Sequence, residues 1–225
     1  MRISGSGRLS EGKIDDEINL SGSAKIAGDF ECTGFKSSGS LRGEGNLTVR
    51  GDVKSSGSFR IAGFLHGDGN AKFSGSSSVG GEILIRGVLG CSGSFRVGDK
   101  VEAIEGIRLS GSARVQGDLL SQKTIDIEGS VIIDGNIKGD DVFIGTRLMR
   151  ERKILKQPFK VNGNIFATNT ADITGALVNG DVRGRDVKIG KGTEVAGVIY
   201  YIDNIEVHQK ATLTNEPIQI QLDEE

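Results

Sequence analysis

The sequence predicts an all-β protein wound as a single-stranded, three-sided β-helix, and three periodic features carry that reading. The tripeptide Ser-Gly-Ser returns around Gly5, Gly22, Gly39, Gly57, Gly75, Gly93 and Gly111, with a degraded copy at Glu128-Gly129-Ser130. The steps between these glycines are 17, 17 and then 18 residues each time, and a fixed internal period marks a repeat architecture. Within a repeat, glycines fall six apart, as in Gly22, Gly28, Gly34 and Gly57, Gly63, Gly69. The residues two and four before them are apolar or small, as in Ile18-x-Leu20-x-Gly22, Phe30-x-Cys32-x-Gly34 and Ile83-x-Ile85-x-Gly87. Alternation with period two is the strand signal. A glycine after each strand is expected to supply the positive φ of a tight corner. Three strands and three corners make one triangular coil of about 18 residues, stacked at about 4.8 Å per step around one apolar column.

The elements follow in order. Arg2-Ile3-Ser4-Gly5 is already in register, so no disordered leader is expected. The first coil is irregular around Glu11-Gly12 and Asp15-Asp16-Glu17, and the next four coils are the most regular. Gly98-Asp99 and Gly106 fall off the ideal positions, which predicts a phase slip and a longer corner over 98–106. The pattern resumes at Gly117 and turns aliphatic at Ile125-Asp126-Ile127 and Val131-Ile132-Ile133. Residues 146–160, basic and without glycine, are expected to form a loop insertion. The coils return at Val161-Asn162-Gly163 and run on through Val187–Gly190, Val195–Tyr201, Ile205–Val207, Ala211–Leu213 and Ile218–Leu222. A short acidic tail closes the chain at 223–225. The whole reads as one domain, 1–225, of roughly eleven coils, a rod on the order of 50 Å long.

Composition agrees. Thirty-five glycines with no tryptophan and two prolines would fit disorder, except that a disordered chain keeps no six-residue phase. Helix is disfavoured, because each interior glycine costs about 1 kcal/mol against alanine. The net charge of −2 gives nothing that favours a specific nucleic-acid partner. No apolar run approaches the roughly 20 residues of a membrane span, and no signal-peptide pattern opens the chain. Cys32 and Cys91 each lie two before a corner glycine, inward-facing and more than three coils apart. That is too far for a disulfide, and buried free thiols fit a reducing cytoplasm.

The Gly-rich hexads in coils of this length, with the late stretch Val187-Lys188-Ile189-Gly190-Lys191-Gly192-Thr193-Glu194-Val195-Ala196-Gly197, resemble the bactofilins. These are polymer-forming cytoskeletal proteins of bacteria and some archaea. The resemblance covers nearly the whole chain. It implies a right-handed three-sided β-helix and nucleotide-independent, end-to-end polymerisation without enzymatic activity or cofactor. It also implies head-to-head and tail-to-tail joints, and a cytoplasmic scaffold that can associate with the membrane. The chain departs from the family in being longer, in entering the repeat at once without an N-terminal tail, and in its basic insertion.

Three sets of residues are the candidate sites. The first is the two ends, where strand edges template further pairing: Ile3 and Leu9 at one end, and Tyr200, Tyr201, Ile205, Val207 and Leu213 at the other. The second is a pair of basic ladders. Positions three after each Ser-Gly-Ser glycine read Arg8, Lys25, Arg42, Arg60, Ser78, Arg96, Arg114. Positions three before read Arg2, Asn19, Lys36, Lys54, Lys72, Gly90, Arg108. Both should face solvent, where they suit an anionic membrane surface or cell-envelope partner or keep exposed strands soluble. The third is the insertion, with Arg147, Arg150, Arg152, Lys153 and Lys156 alongside Leu148, Met149, Ile154, Leu155 and Phe159, suited to an anionic membrane or a partner.

The rival class is a left-handed β-helix acyltransferase-like enzyme, since Ile189-Gly190 and Val195-Ala196-Gly197 resemble hexapeptide repeats. Such enzymes resemble one another in a histidine base. The candidates are His66, expected at an outward turn, and His208. Two histidines fall short of the three that a β-helix carbonic anhydrase zinc site needs. No phosphate-binding Gly-x-x-x-x-Gly-Lys-Ser/Thr loop occurs. No cofactor or metal site is therefore assigned.

Overall fold

The computed structural model describes residues 1–146 and 159–221. Among them there is no helix, and every strand pairing is parallel. Each coil contributes three short strands. The first face holds the strand before the Ser-Gly-Ser corner, such as Val53–Ser55. The second holds the strand after it, such as Ser58–Ile61, and the third completes the coil, as in Leu65–Gly67. Among the described residues the second face is a sheet of its own, twelve strands deep. The other two faces form one 22-stranded sheet. They are joined where Val182–Ile189 and Ile199–Val207 run through the corner, with a register shift between Gly184 and Asp186. The fold is the β-solenoid that the repeat predicts.

The corner glycines are required for a different reason from the expected one. Positive φ occurs at Gly12, Gly106, Gly129, Gly145, Gly175 and Gly192, and the Ser-Gly-Ser glycines before Gly129 are not among them. What these corners need is contact. A Cβ on Gly39 would overlap the carbonyl oxygen of Gly22, one on Gly57 that of Gly39, and one on Gly75 that of Gly57. That oxygen accepts the N–H of the serine one coil on: Ser40 from Gly22 at 2.9 Å, Ser58 from Gly39 at 3.0 Å, Ser76 from Gly57 at 3.1 Å.

The inward positions are those two residues either side of the corner glycine, and their sizes compensate. Ser37 faces inward with Leu41, Ser55 with Phe59, Phe73 with Ser77, and Cys91 with Phe95, all buried. Each of these four coils thus places one large and one small side chain beside the corner, as a close-packed interior requires. The rings form a run along the axis: Phe35–Phe59 at 5.8 Å, Phe59–Phe73 at 5.2 Å and Phe73–Phe95 at 5.8 Å between centroids. Burying such a ring contributes about 1.5–3 kcal/mol. Cys32 and Cys91 are free and buried, and burial pushes both thiols up to about 11.

Two expectations are corrected. The register runs straight through 98–106, with Val79 beside Val97, Ile83 beside Val101 and Leu89 beside Ile107, so no longer corner forms there. The turn that carries Gly106, at φ 131°, absorbs the irregular glycine spacing. The insertion is also shorter than 146–160. Phe159–Val161 is a strand pairing with Val131–Ile133, and Phe159 is a buried core residue. Its aromatic ring belongs to the apolar column, not to a solvent loop.

Gly57→Ala should destabilise the fold by about 3 kcal/mol, because the obstacle is backbone and cannot rotate away. Gly90→Ala, whose Cβ would meet nothing closer than Ala71 O at 4.0 Å, should stay within about 0.5 kcal/mol of the parent. Urea unfolding followed by circular dichroism measures both, and equal effects would contradict the contact argument.

Candidate functional site

The two ends are where the solenoid stops covering its own core. One coil in from each end the inward columns of the first face are already closed, with Ile18 1%, Leu20 3%, Val187 2% and Ile189 1% exposed. On the same columns Met1 and Val207 are each 43% exposed. Ile3 and Ile14 at one end, and Ile205, Ala211 and Leu213 at the other, are only partly covered. Among the described residues, Arg2–Ile3, Ser6–Leu9 and Gly12–Lys13 pair on one side only. The same holds for Thr212–Leu213 and Ile218–Gln219 at the far end. The N-terminal ammonium is held by Asp16 and by the Glu17 carbonyl.

Of the residues expected at the ends, Ile3, Ile205, Val207 and Leu213 are there. Leu9 belongs to the first coil but is 8% exposed, closed over by its own coil. Tyr200 and Tyr201 lie one step inside the end, beneath Ile218 and Gln219. Met1, Ile14 and Ala211 were not expected there. Counting two residues outward from the corner glycine reaches only Ile3 at the start, whereas Met1 lies four before Gly5 and Ile14 follows the strand of the third face.

The basic ladders are real columns. On the second face the register runs Arg8, Lys25, Arg42, Arg60, Ser78, Arg96, Arg114. On the first face it runs Arg2, Asn19, Lys36, Lys54, Lys72, Gly90, Arg108. Carboxylates neutralise part of this charge: Lys25–Glu44, Lys36–Glu17, Lys54–Asp52 and Arg114–Asp134, at 2.6–3.0 Å. Arg8, Arg42, Arg60 and Arg96 make no ion pair with a described residue. Both columns then change character. The first face continues Asp126, Phe143, Asp172, and the second Ile132, Lys160, Leu177, Glu194. Lys36, Lys54 and Lys72 line a shallow groove of about 400 Å³ with Ser21, Ser38, Ser56 and Ser74. Arg147, Arg150, Arg152, Lys153 and Lys156 lie outside the described residues.

At the other corners the polar residues form a ladder. Asp118 Oδ1 accepts the Asn136 N–H at 2.7 Å and Asn136 Oδ1 accepts that of Asn164 at 2.9 Å. Asn164 serves Asp181, and Asp181 serves Val198, both at 2.8 Å. A shorter ladder runs Asp29, Asn46, Phe64, and another Asp52, Asn70, Val88. Asp29, Asn46 and Asp118 each follow a corner glycine in the sequence. The alternation of Asp with Asn at a fixed corner position is the signal that could have revealed side chains standing in for backbone acceptors.

The histidines are not brought together. His66 lies mid-strand rather than at a turn. Its ring stacks on Phe64 at 4.0 Å, and its Nε2 meets Glu82 Oε1 at 2.9 Å. That contact, with Lys100 beside it, holds the Glu82 carboxyl below its ordinary value. His208 is near the far end, where its Nδ1 accepts the Lys210 N–H at 3.0 Å. Among the described residues no group of His, Cys, Asp and Glu is placed to hold a metal ion, and no helix is long and apolar enough to cross a membrane. No protein-family model, curated protein or solved structure matches this chain.

Asn136→Ala leaves the Asn164 N–H without its acceptor and should cost about 1–2 kcal/mol in urea unfolding. An unchanged midpoint would show the ladder to be ornamental. Acid dependence follows from Asp52, whose carboxyl is held below its ordinary 3.8 by the Asn70 N–H and the Lys54 ammonium. A folded-state value below the unfolded one gives stability that is complete above about pH 4 and fades as pH falls through the lowered value. Asp52→Asn should therefore flatten the stability–pH curve between about pH 4 and 2, read by thermal melts across that range.

Proposed function

We propose that this chain is a non-enzymatic structural protein that assembles end to end into filaments and serves as a scaffold, in the manner of the bactofilins its repeat resembles. The observation that carries the reading is the pair of uncovered core ends: Met1 and Ile3 at one, Val207 and Leu213 at the other, each above closed mid-rod columns. Unpaired parallel edges and apolar side chains in the same plane favour continued stacking, because another coil buries both at once. No nucleotide is needed, since winding already places the edge groups. The reading includes a reducing cytoplasmic setting, supported by two buried free thiols. It also includes an anionic partner along the rod, supported by Arg8, Arg42, Arg60 and Arg96, which make no ion pair with a described residue.

The acyltransferase-like alternative draws no support from the histidines, which sit far apart on the rod with protein partners of their own.

Electron microscopy of the purified protein should show filaments without added nucleotide, and sedimentation should show mass growing with concentration. Val207→Glu places a charge in the joint and should raise the concentration needed for assembly by more than about tenfold, with unchanged thermal stability of the single rod. Short monodisperse particles across salt conditions would remove the reading.

A further inference from the structure

We infer that the second face binds a linear polyphosphate, laid along the rod axis between its serine and arginine columns in the coils that precede Ser130. The inference rests on reading the rod as a scaffold with an anionic partner, and it names that partner.

Each strand of this face from Ser6–Leu9 to Ser112–Val115 sends two side chains outward. The first is an exposed serine in all seven strands, and the second is a cation in six, with Ser78 in the remaining one. Parallel register stacks like on like, Ser40 beside Ser58 and Arg42 beside Arg60. Six steps of about 4.8 Å make a stripe about 29 Å long. No carboxylate stands on these strands, and at the next rung the cation gives way to Ile132.

Cations elsewhere in the same coils are paired. At the third face and the corners beside it, Lys13 meets Glu31, Arg50 meets Asp15, Arg86 meets Asp68 and Lys100 meets Glu82. On the second face Arg8, Arg42, Arg60 and Arg96 make no ion pair with a described residue. Arg42 and Arg60 line a groove of about 400 Å³ that Ser78, Ala62 and Gly80 leave open. Its one carboxylate, Glu44, is held by Lys25 at 2.6 Å. Two guanidinium groups on neighbouring rungs repel, and an anion between them replaces that repulsion with charge-assisted hydrogen bonds.

The chemistry of the rungs narrows the partner. Guanidinium, ammonium and hydroxyl groups are the side-chain donors that phosphate oxygens take. A sugar chain needs acceptors for its own hydroxyls, and these strands hold no carboxylate to supply them. A single-stranded nucleic acid stacks its bases on aromatic side chains, and an element lying on a membrane enters the interface with apolar ones. The outward positions of these seven strands hold neither. A chain of phosphates joined through shared oxygens is anionic at every unit and has nothing else to bury. The constant step of the rungs suits such a repeating ligand, because any unit can take any rung.

The test is titration of the full chain with long-chain polyphosphate, at a protein concentration where sedimentation gives single rods. Tripolyphosphate, too short to span the stripe, should bind at least about tenfold more weakly. Arg42→Gln with Arg60→Gln should weaken long-chain binding at least about tenfold and lower the slope of log K against log salt by about 1.4, two contacts at about 0.7 each. Circular dichroism of that variant should be unchanged. Arg86→Gln removes a paired cation from another corner and should stay within about twofold of the parent. Ser58→Ala with Ser94→Ala should weaken binding about threefold, a loss that plain charge attraction does not give. No binding, or equal losses in Arg86→Gln and in the arginine pair, overturns the site. Tighter binding of single-stranded DNA or of phosphatidylglycerol vesicles overturns the choice of ligand. Filaments that form yet bind no polyphosphate overturn this inference and leave end stacking in place. Binding by rods that never assemble sustains it while removing end stacking.

Discussion

Backbone touching backbone at the Ser-Gly-Ser corner is the constraint on which the structure depends. The carbonyl of Gly39 fills the space a side chain on Gly57 would take, and the carbonyl of Gly57 does the same beneath Gly75. The corner can then turn within one residue while its oxygen still accepts an N–H from the coil above. Spacing, register and inward phase all follow. With the corner fixed, the residues two away on either side must point to the axis and those three away must point out. The inward pair then has room for one ring, which is why Phe59 stands with Ser55 and Phe73 with Ser77. The constraint is repulsive in kind: it sets the fold by what it excludes, and the apolar column supplies the favourable free energy.

A lattice built this way has no internal reason to stop. Every coil rests on the one below and offers the same edge above, so closure must come from outside the repeat. Among the described residues no helix covers Met1 and Ile3, or Val207 and Leu213. The polar ladders strengthen the point. Asp118 serves Asn136, Asn136 serves Asn164, and the relay ends only at Val198, which has no side-chain acceptor to pass on. The hydrogen bonding of each coil is completed by its neighbour, and the end coils are incomplete in the same proportion.

What could be read from the sequence was whatever one period determines. The solenoid, the inward positions around each corner glycine, and the two basic columns all follow from counting two and three residues from a glycine, and Lys54 and Arg60 lie where that count puts them. Glycine chemistry was less legible, since a glycine that avoids a clash and one that adopts positive φ are the same letter. Only Gly129 and a few others need the left-handed region. Glycine spacing also misled at 98–106, because Gly106 tracks a turn and not the strand register. Phe159 was hidden by the basic segment before it, though its pairing with Val131 is ordinary. The Asx ladders were missed because an aspartate accepting a backbone N–H and an aspartate facing water look alike until the coil above is placed.

The charge pattern makes the two ends of the rod chemically unlike, beyond the direction that parallel winding already gives it. A perfect repeat would carry the same side chains at both ends, but here the columns that begin with Arg2 and Arg8 pass into Asp126 and Ile132 and reach Glu206 and Thr212. Exposed like charges within one chain cost only tenths of a kcal/mol per pair, and neighbouring carboxylates such as Glu17 and Glu44 offset part of that. Folding tolerates the cost because it buries an apolar column many coils long. A joint between two rods buries a single layer, so the same tenths weigh far more heavily in the choice between one arrangement and another. Residues that are nearly neutral for the fold can therefore decide how one rod meets the next, and the basic rim of the first coil is placed where that leverage is greatest.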